Sequence, residues 1–332
     1  MGFNTPEIAK NACGGTELVT QGLIKGLQDA GRQDLLDFFE FYPSRIENFN
    51  PDKPSVYVVH DLVGDPCFEH LWQDNGRRFD MMVFVSDWQH QQFLQGYRLR
   101  GHNTHVIPNG FIPFGDSNKW DADLGTKENP IRLIYHTTPH RGLQLLVPAY
   151  KAIYDEFRQH NIHIHLDVYS SFKIYGWEER DREYSALFAE IKNHPGMAYH
   201  GSVSNLHVRK ALQQAHVFAL PSIWPETFCL ALVEAMSAQA VCVHSNLGAL
   251  PNTSGGFSIS YPFSSDNDVH LQRFYQTLRD TLLVIAQAKQ DILLMPMLAS
   301  QRANVLYGWD AVIPQWINLL DSAKKKAEAP VD

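Results

Sequence analysis

Long apolar runs are missing from this chain: no stretch approaches the roughly 18 consecutive apolar residues that a membrane-crossing helix needs. Cysteine is scarce, with four in 332 residues (Cys13, Cys67, Cys229, Cys242) and no C-x-x-C pair. Scattered in this way they read as reduced thiols, not as a disulfide frame or a zinc site. An excess of basic residues is also missing: 28 Lys and Arg stand against 36 Asp and Glu, a net charge of −8. That argues against a nucleic-acid partner, which would need a basic face to neutralise phosphates. The opening residues, MGFNTPEIAKNACGG, have neither the basic nor the apolar region of a secretory signal. The expectation is a cytoplasmic protein with no membrane span. Hydrophobic residues, by contrast, make up 44% and aromatics 12%. Over this length that is enough for two cores, at roughly 150 residues per domain.

The order of apolar segments agrees. Residues 14–30, GGTELVTQGLIKGLQDA, predict a helix with Leu18, Leu23 and Leu27 on one face and Thr16 as its cap. LLDFFEFY, SVYVVHDL, MMVFVSDW and HVIPNGF predict strands buried on both faces, with the helix WQHQQFLQGYRL before the last and Ser86 as its cap. A first doubly wound domain is thus expected over 1–112. Residues 113–130 are polar and rich in turn formers, and predict a linker. Strand and helix then alternate again, from IRLIYH to AVCVHS, with two more helices beyond. That predicts a second Rossmann-like domain over 131–305, and 306–326 predict a closing helix.

In open parallel sheets, ligands bind beyond the carboxyl ends of the strands, at helix N-termini. The candidate chemistry therefore lies at the junctions NACGGT, VVHD, FVSD, YHTTPHRG, HGSVSN and LPSIWPETFC. With the two domains face to face these would line one cleft. In PSIWPETFCLALVEAM, Glu226 precedes a helix and Glu234 lies two turns into it. Between them the amides of Phe228, Cys229 and Leu230 are expected to form a helix start that favours an anion. A phosphate there would have a carboxylate on each side, each able to accept from hydroxyls. A nucleoside diphosphate sugar has that shape. Arg141, followed by Gly142, could bind the diphosphate with its planar fork.

These residues resemble a family, the retaining GT-B glycosyltransferases of glycosyltransferase family 4 (glycosyl transferases group 1). The likeness spans nearly the whole chain and is strongest over 131–252. The family's Glu, seven residues, Glu, Ala signature matches Glu226 to Ala235. The resemblance implies an α/β GT-B fold of two Rossmann-like domains facing across a cleft, the first expected to hold the acceptor and the second the nucleotide-sugar donor, with a C-terminal helix crossing back. It implies that Glu226 contacts the donor sugar's hydroxyls and Glu234 holds the ribose. Arg141-Gly142 matches the family's diphosphate-binding lysine-glycine, and Thr227 to Leu230 would complete the donor site. Gly14-Gly15 matches the loop that approaches sugar and phosphate, His60 the histidine near the reacting sugar, and Pro108-Asn109-Gly110 the tail of the first domain. Three stretches depart from the pattern. His136 stands where a second cation is usual, Cys229 replaces a glycine, and Ser170, Ser171 and Lys173 replace a glycine-rich strand end. No clear strand precedes the Gly-Gly loop. The implied reaction is metal-independent, retaining transfer of a hexosyl-type sugar to a saccharide, lipid-linked or other hydroxyl acceptor, with no cofactor beyond the donor. If His136 faces the phosphates, its protonation near pH ~6.5 would strengthen donor binding.

Plainer readings stand beside these. Gly14-Gly15 reads equally as a helix-opening turn, and His60 as a strand-end histidine. His163 and His165 share a strand face, but the sequence places no third metal ligand. Asp121 and Asp123 mimic a metal-binding Asp-x-Asp inside the linker, Lys324 to Lys326 read as a solvated helix end, and Arg98 and Arg100 as a solvated loop. Two other functions fit the same architecture: a GT-B nucleotide-sugar epimerase and a non-catalytic nucleotide-sugar binder.

Overall fold

The computed structural model describes residues 14–46, 48–99, 103–115, 119–121, 123–287 and 294–329. The possible first strand at the extreme N-terminus, Cys13 and Arg100 lie outside them. Helices α1–α12 and strands β1–β10 are numbered along the chain. The described residues form two units, one of 14–112 with 305–329, the other of 113–304.

In the first unit, α1 (Gly15–Asp29), α2 (Gln33–Phe38), α3 (Leu71–Asp74) and α4 (Asp87–Tyr97) accompany β1 (Glu40–Pro43), β2 (Ser55–Val59), β3 (Met81–Phe84) and β4 (Thr104–Val106). The strands pair in parallel in the order β1-β2-β3-β4. Alternate residues of β2 feed two cores, as a strand buried on both faces must. Val56 and Val58 join Leu23, Leu27, Leu35 and Trp316, while Tyr57 and Val59 join Phe68, Phe84 and Phe93. Half of the expected strand LLDFFEFY is helix α2. Leu35 and Leu36 lie about one helical turn before Phe39 and all three reach the first core, and a short apolar run cannot tell the two periods apart. Gly14, not Thr16, is the N-cap of α1. Ser86 does cap α4, accepting from the Gln89 amide at 3.1 Å. The closing helix α12 (Trp309–Glu328) packs on this unit. A Cβ on Gly22 or Gly110 would stand 2.1 or 2.3 Å from the Trp309 ring, so only glycine fits at either place.

The second unit carries β5 (Ile131–Tyr135), α5 (Leu143–Gln159), β6 (Ile164–Val168), α6 (Ser185–Asn193), β7 (Met197–Tyr199), α7 (Asn205–Leu212), β8 (Val217–Leu220), α8 (Leu230–Ser237) and β9 (Val241–Ser245). α9 (Leu250–Ser254), β10 (Ile259–Tyr261), α10 (Asn267–Gln287) and α11 (Leu294–Tyr307) follow, the last running on into the first unit. The parallel sheet has the order β10-β9-β8-β5-β6-β7. Strand order therefore reverses between neighbours β5 and β8, where Leu133 pairs with Val217. Such a switch point opens a crevice beyond the strand ends. The expected linker packs on this unit instead of standing free. The Phe114 amide donates to Ser237 Oγ at 2.9 Å. Lys119 is buried, its ammonium on the carbonyls of Leu212 and Ala238, and burial pulls its pKa down to about 7. Polar composition masked these anchors. Among the described residues no helix is long and apolar enough to cross a membrane.

Candidate functional site

The two strands flanking the switch point deliver the two most informative residues. β5 leads through a one-turn 3-10 helix, Pro139–Arg141, into α5, and β8 leads through residues 221–229 into α8. The junctions touch at Gly142, which has φ +116°, and whose Cβ would meet the Pro221 carbonyl at 2.1 Å. Glycine is required there on both counts, and the close approach lets the Arg141 guanidinium bond the Glu226 carboxylate directly. Glu226 is 5% exposed. Burial alone would lower the guanidinium's pKa, but the Glu226 carboxylate outweighs it and holds the charge firmly in place. Tyr175 also acts on that guanidinium, which puts the loop after β6 beside the pair. Glu226 is clamped from behind. It bridges Gly248 in the parallel sense, its carbonyl accepts from the Ala249 amide at 2.8 Å, and a Cβ on Gly248 would lie 2.6 Å from its backbone. Neither Tyr175 nor Gly248 was singled out in the sequence. A glycine just past a strand was the available signal for Gly248.

The β5–α5 junction carries buried polar atoms with no hydrogen-bond partner, His136 Nε2, Thr138 Oγ1, His140 Nδ1 and Arg141 Nε itself, and Ser170 Oγ just after β6 is another. Thr138 is 4% and Ser170 2% exposed. Each unpartnered group costs about 1–3 kcal/mol, so their concentration at one junction marks a place built for a polar ligand.

The start of α8 differs from expectation. Helix begins at Leu230, after Cys229 as N-cap with φ 73°. The first intrahelical bonds run from the Leu232 and Val233 amides to the Cys229 carbonyl, so Leu230 and Ala231 supply the leading amides and Phe228 belongs to the loop. Thr253 Oγ1 holds that loop through the Phe228 carbonyl at 2.6 Å. Cys229 occupies the left-handed region that favours glycine, which accounts for the usual glycine at this position and makes the cysteine a strained substitute. Burial raises its thiol pKa well above the usual value.

Glu234 lies on the second turn of α8, 3.9 Å from Arg209 of α7. Burial lifts its pKa to about 7, and Arg209 opposes this only in part. Arg209 also lies 3.8 Å from the Phe114 ring centroid and donates to the Pro113 carbonyl at 3.1 Å. Sequence reading missed it, because one arginine in a polar helix carries no signal. Under α7 runs a cavity of about 260 Å³ lined by Arg132, Asp167, Tyr169, His207 and Lys210.

His136 packs against Phe218, ring centroids 5.1 Å apart. Burial depresses its pKa to about 4, which a backbone hydrogen bond at Ala231 does not offset. It is not a cation near pH 6.5, and that expectation is corrected. Ser171 and Lys173 are engaged locally: Ser171 caps the turn at the Lys173 amide and bonds Asp181, and Lys173 faces Glu178 at 3.7 Å. Ser170 alone of the three has a buried hydroxyl oxygen without a partner.

Gly14, Gly15 and His60 belong to the first unit. His60 follows β2, its amide on Ser44 Oγ at 2.8 Å. It lines a cavity of about 10 Å³, the room of one water, with Thr20, Pro108 and Asn109. Burial lowers its pKa to about 4.

Residues 132–263 match the family model described as Glycosyl transferases group 1. No curated protein matches the chain by sequence. Among solved structures, the pneumococcal O-GlcNAc transferase GtfA in complex with UDP and GlcNAc is 18% identical with a TM-score of 0.61, over 82% of this chain and 53% of its own. This chain thus spans about half of that protein. Anabaena HepE in complex with UDP and glucose is 15% identical with a TM-score of 0.63, over 90% of this chain and 81% of its own. A glycosyltransferase from Rickettsia africae is 13% identical with a TM-score of 0.65, over 97% and 84%. The fold is GT-B.

Proposed function

We propose that this chain is a glycosyltransferase, moving a sugar from a nucleoside diphosphate sugar to a hydroxyl acceptor with retention and without a metal. One observation carries the reading: at the switch point of the second sheet Arg141 and Glu226 meet, on a β5–α5 junction that itself carries buried, unpartnered polar atoms. The matched family model and the GT-B neighbours support a transferase over an epimerase or a silent binder.

The chemistry follows from the placement. A departing diphosphate gathers negative charge, which Arg141 and the leading amides of α8 can stabilise. Glu226 accepts from hydroxyls of the donor sugar once the diphosphate has claimed the guanidinium. Glu234 holds the ribose, with Arg209 behind it. Oxocarbenium character at the sugar carbon is expected for glycosyl transfer, and attack from the face of the leaving phosphate makes that phosphate the base. Two of the structural neighbours were solved with UDP, so uridine donors are the first to try. Calorimetry with UDP, GDP, ADP and CDP, then acceptor-dependent release of the diphosphate with and without EDTA, tests the reading. Failure of all four to bind sinks it. Product formed from the donor alone would indicate an epimerase, and activity lost in EDTA and restored by manganese would remove the metal-independent step.

A further inference from the structure

Beside the Arg141–Glu226 pair runs a train of aromatic groups that the transfer step leaves unused. Trp224 stands two residues before Glu226 and is 43% exposed. It meets the imidazole of His140, ring centroids 5.1 Å apart at 83°. His140, next to Arg141, stacks on buried Phe172 at 5.3 Å and 15°. The Arg180 guanidinium lies 4.3 Å from the Phe172 centroid and 5.7 Å from that of Trp177, which is 40% exposed and packs on Tyr175.

The train is held in place. Ser222 Oγ accepts from the Trp224 amide at 3.4 Å and donates to its carbonyl at 2.7 Å. The Phe172 amide donates to Asp181 at 2.8 Å. Two fixed tryptophans left open to water on a polar rim are an uncommon use of the largest apolar side chain. Rings already ordered bind at a lower entropic cost than mobile ones.

We propose that Trp224 and Trp177 form a stacking platform for the sugar rings of a saccharide acceptor. One face of a pyranose presents only C–H groups, and these meet the electron-rich face of an indole well. Its hydroxyls lie around the edge, within the chemistry of Arg180. The donor's own sugar does not explain the platform: it is tied to the diphosphate and held by Glu226, which is 5% exposed, whereas these rings open outward. The inference rests on the donor reading above and adds the class of the acceptor, assigning part of its binding to the second unit.

The test uses the whole chain with UDP present. Maltotriose, triacetylchitotriose and mannotriose are titrated by calorimetry, with saturation-transfer NMR on each sugar. At least one should bind below ~10 mM, with transfer strongest at ring C–H protons. Trp224→Ala and Trp177→Ala should each weaken it about tenfold, and Trp224→Phe should keep most of the affinity. UDP affinity should stay within about twofold. The proposal is overturned if no trisaccharide binds, if the alanine variants bind it as wild type does, or if they lose UDP as badly. A chain that binds a trisaccharide through these tryptophans but no nucleoside diphosphate would keep the platform and lose the donor reading.

Discussion

Glu226 and Glu234 are the same residue type eight positions apart, and the fold makes them opposites. Glu226 sits in a loop, in contact with Arg141, its backbone clamped by Gly248 and Ala249. Glu234 sits on a helix with its cation 3.9 Å away and a pKa of about 7. One carboxylate is committed to a charge that a diphosphate would also claim. The other is half-buried with too little compensation, and desolvation lifts its pKa to about 7. The two carboxylates differ in compensation, one in a direct ion pair and the other an under-paired acid; under the proposed donor reading a nucleotide sugar would engage both. Direct contact with a fixed cation separates the two environments; spacing alone does not.

The largest effect should break the Glu226 side. Glu226→Ala should cut turnover about a thousandfold, since the sugar loses its main acceptor group. Affinity for the free diphosphate should hold or improve, because the variant frees Arg141 from its competitor. Calorimetry with UDP beside turnover checks both; a variant that lost UDP binding as completely as turnover would refute the division of roles. Arg141→Ala comes next, with single-turnover rate at saturating donor down about a hundredfold or more. Arg141→Lys should recover part of this, keeping the charge but not the fork. A wild-type single-turnover rate in Arg141→Ala would withdraw the arginine from the transition state.

How much of this the sequence disclosed depends on whether a local rule governed the residue. Gly142, Arg141 and Glu226 were legible because strand end, turn and helix start fall in one short window each. Most strands of the second sheet were legible as short β-rich runs alternating with helical stretches. β10, α9 and the helix at 33–38 were not, being short or ambiguous in period. The contact between Arg141 and Glu226 was invisible, since it depends on β5 and β8 being neighbours across a strand-order reversal. Arg209 and Gly248 were missed for the same reason: each matters only through a partner distant in sequence. The charge state of His136 was not legible, because burial against Phe218 cannot be read from a motif.

The smallest effect sharpens the Glu234 side and concerns pH. In the free protein Glu234 takes up a proton below about 7, and a protonated acid no longer offers ribose hydroxyls a charged acceptor. Nucleotide affinity should therefore fall as pH falls, by about tenfold between pH 8 and pH 6 if the bound form keeps an ordinary carboxyl pKa. Stability moves the other way for this one group. Its folded pKa lies above the unfolded value, so its contribution favours the fold at low pH and is lost as pH rises towards 7. Three half-buried histidines oppose that globally: His60, His136 and His140, each depressed to about 4 chiefly by desolvation, make acid below pH ~6.5 destabilising. The Glu234 contribution must accordingly be read as the difference between wild type and Glu234→Gln. That variant should bind UDP about tenfold more weakly at pH 8, having lost a charge-assisted bond, and its affinity should be flat from pH 8 to pH 6. His136→Ala should leave the wild-type slope in place, since an imidazole that titrates near 4 is silent over this range. If instead the slope reversed, with affinity rising towards pH 6, a cation would be titrating at the phosphates. The contrast between the two glutamates would then fail at its second member.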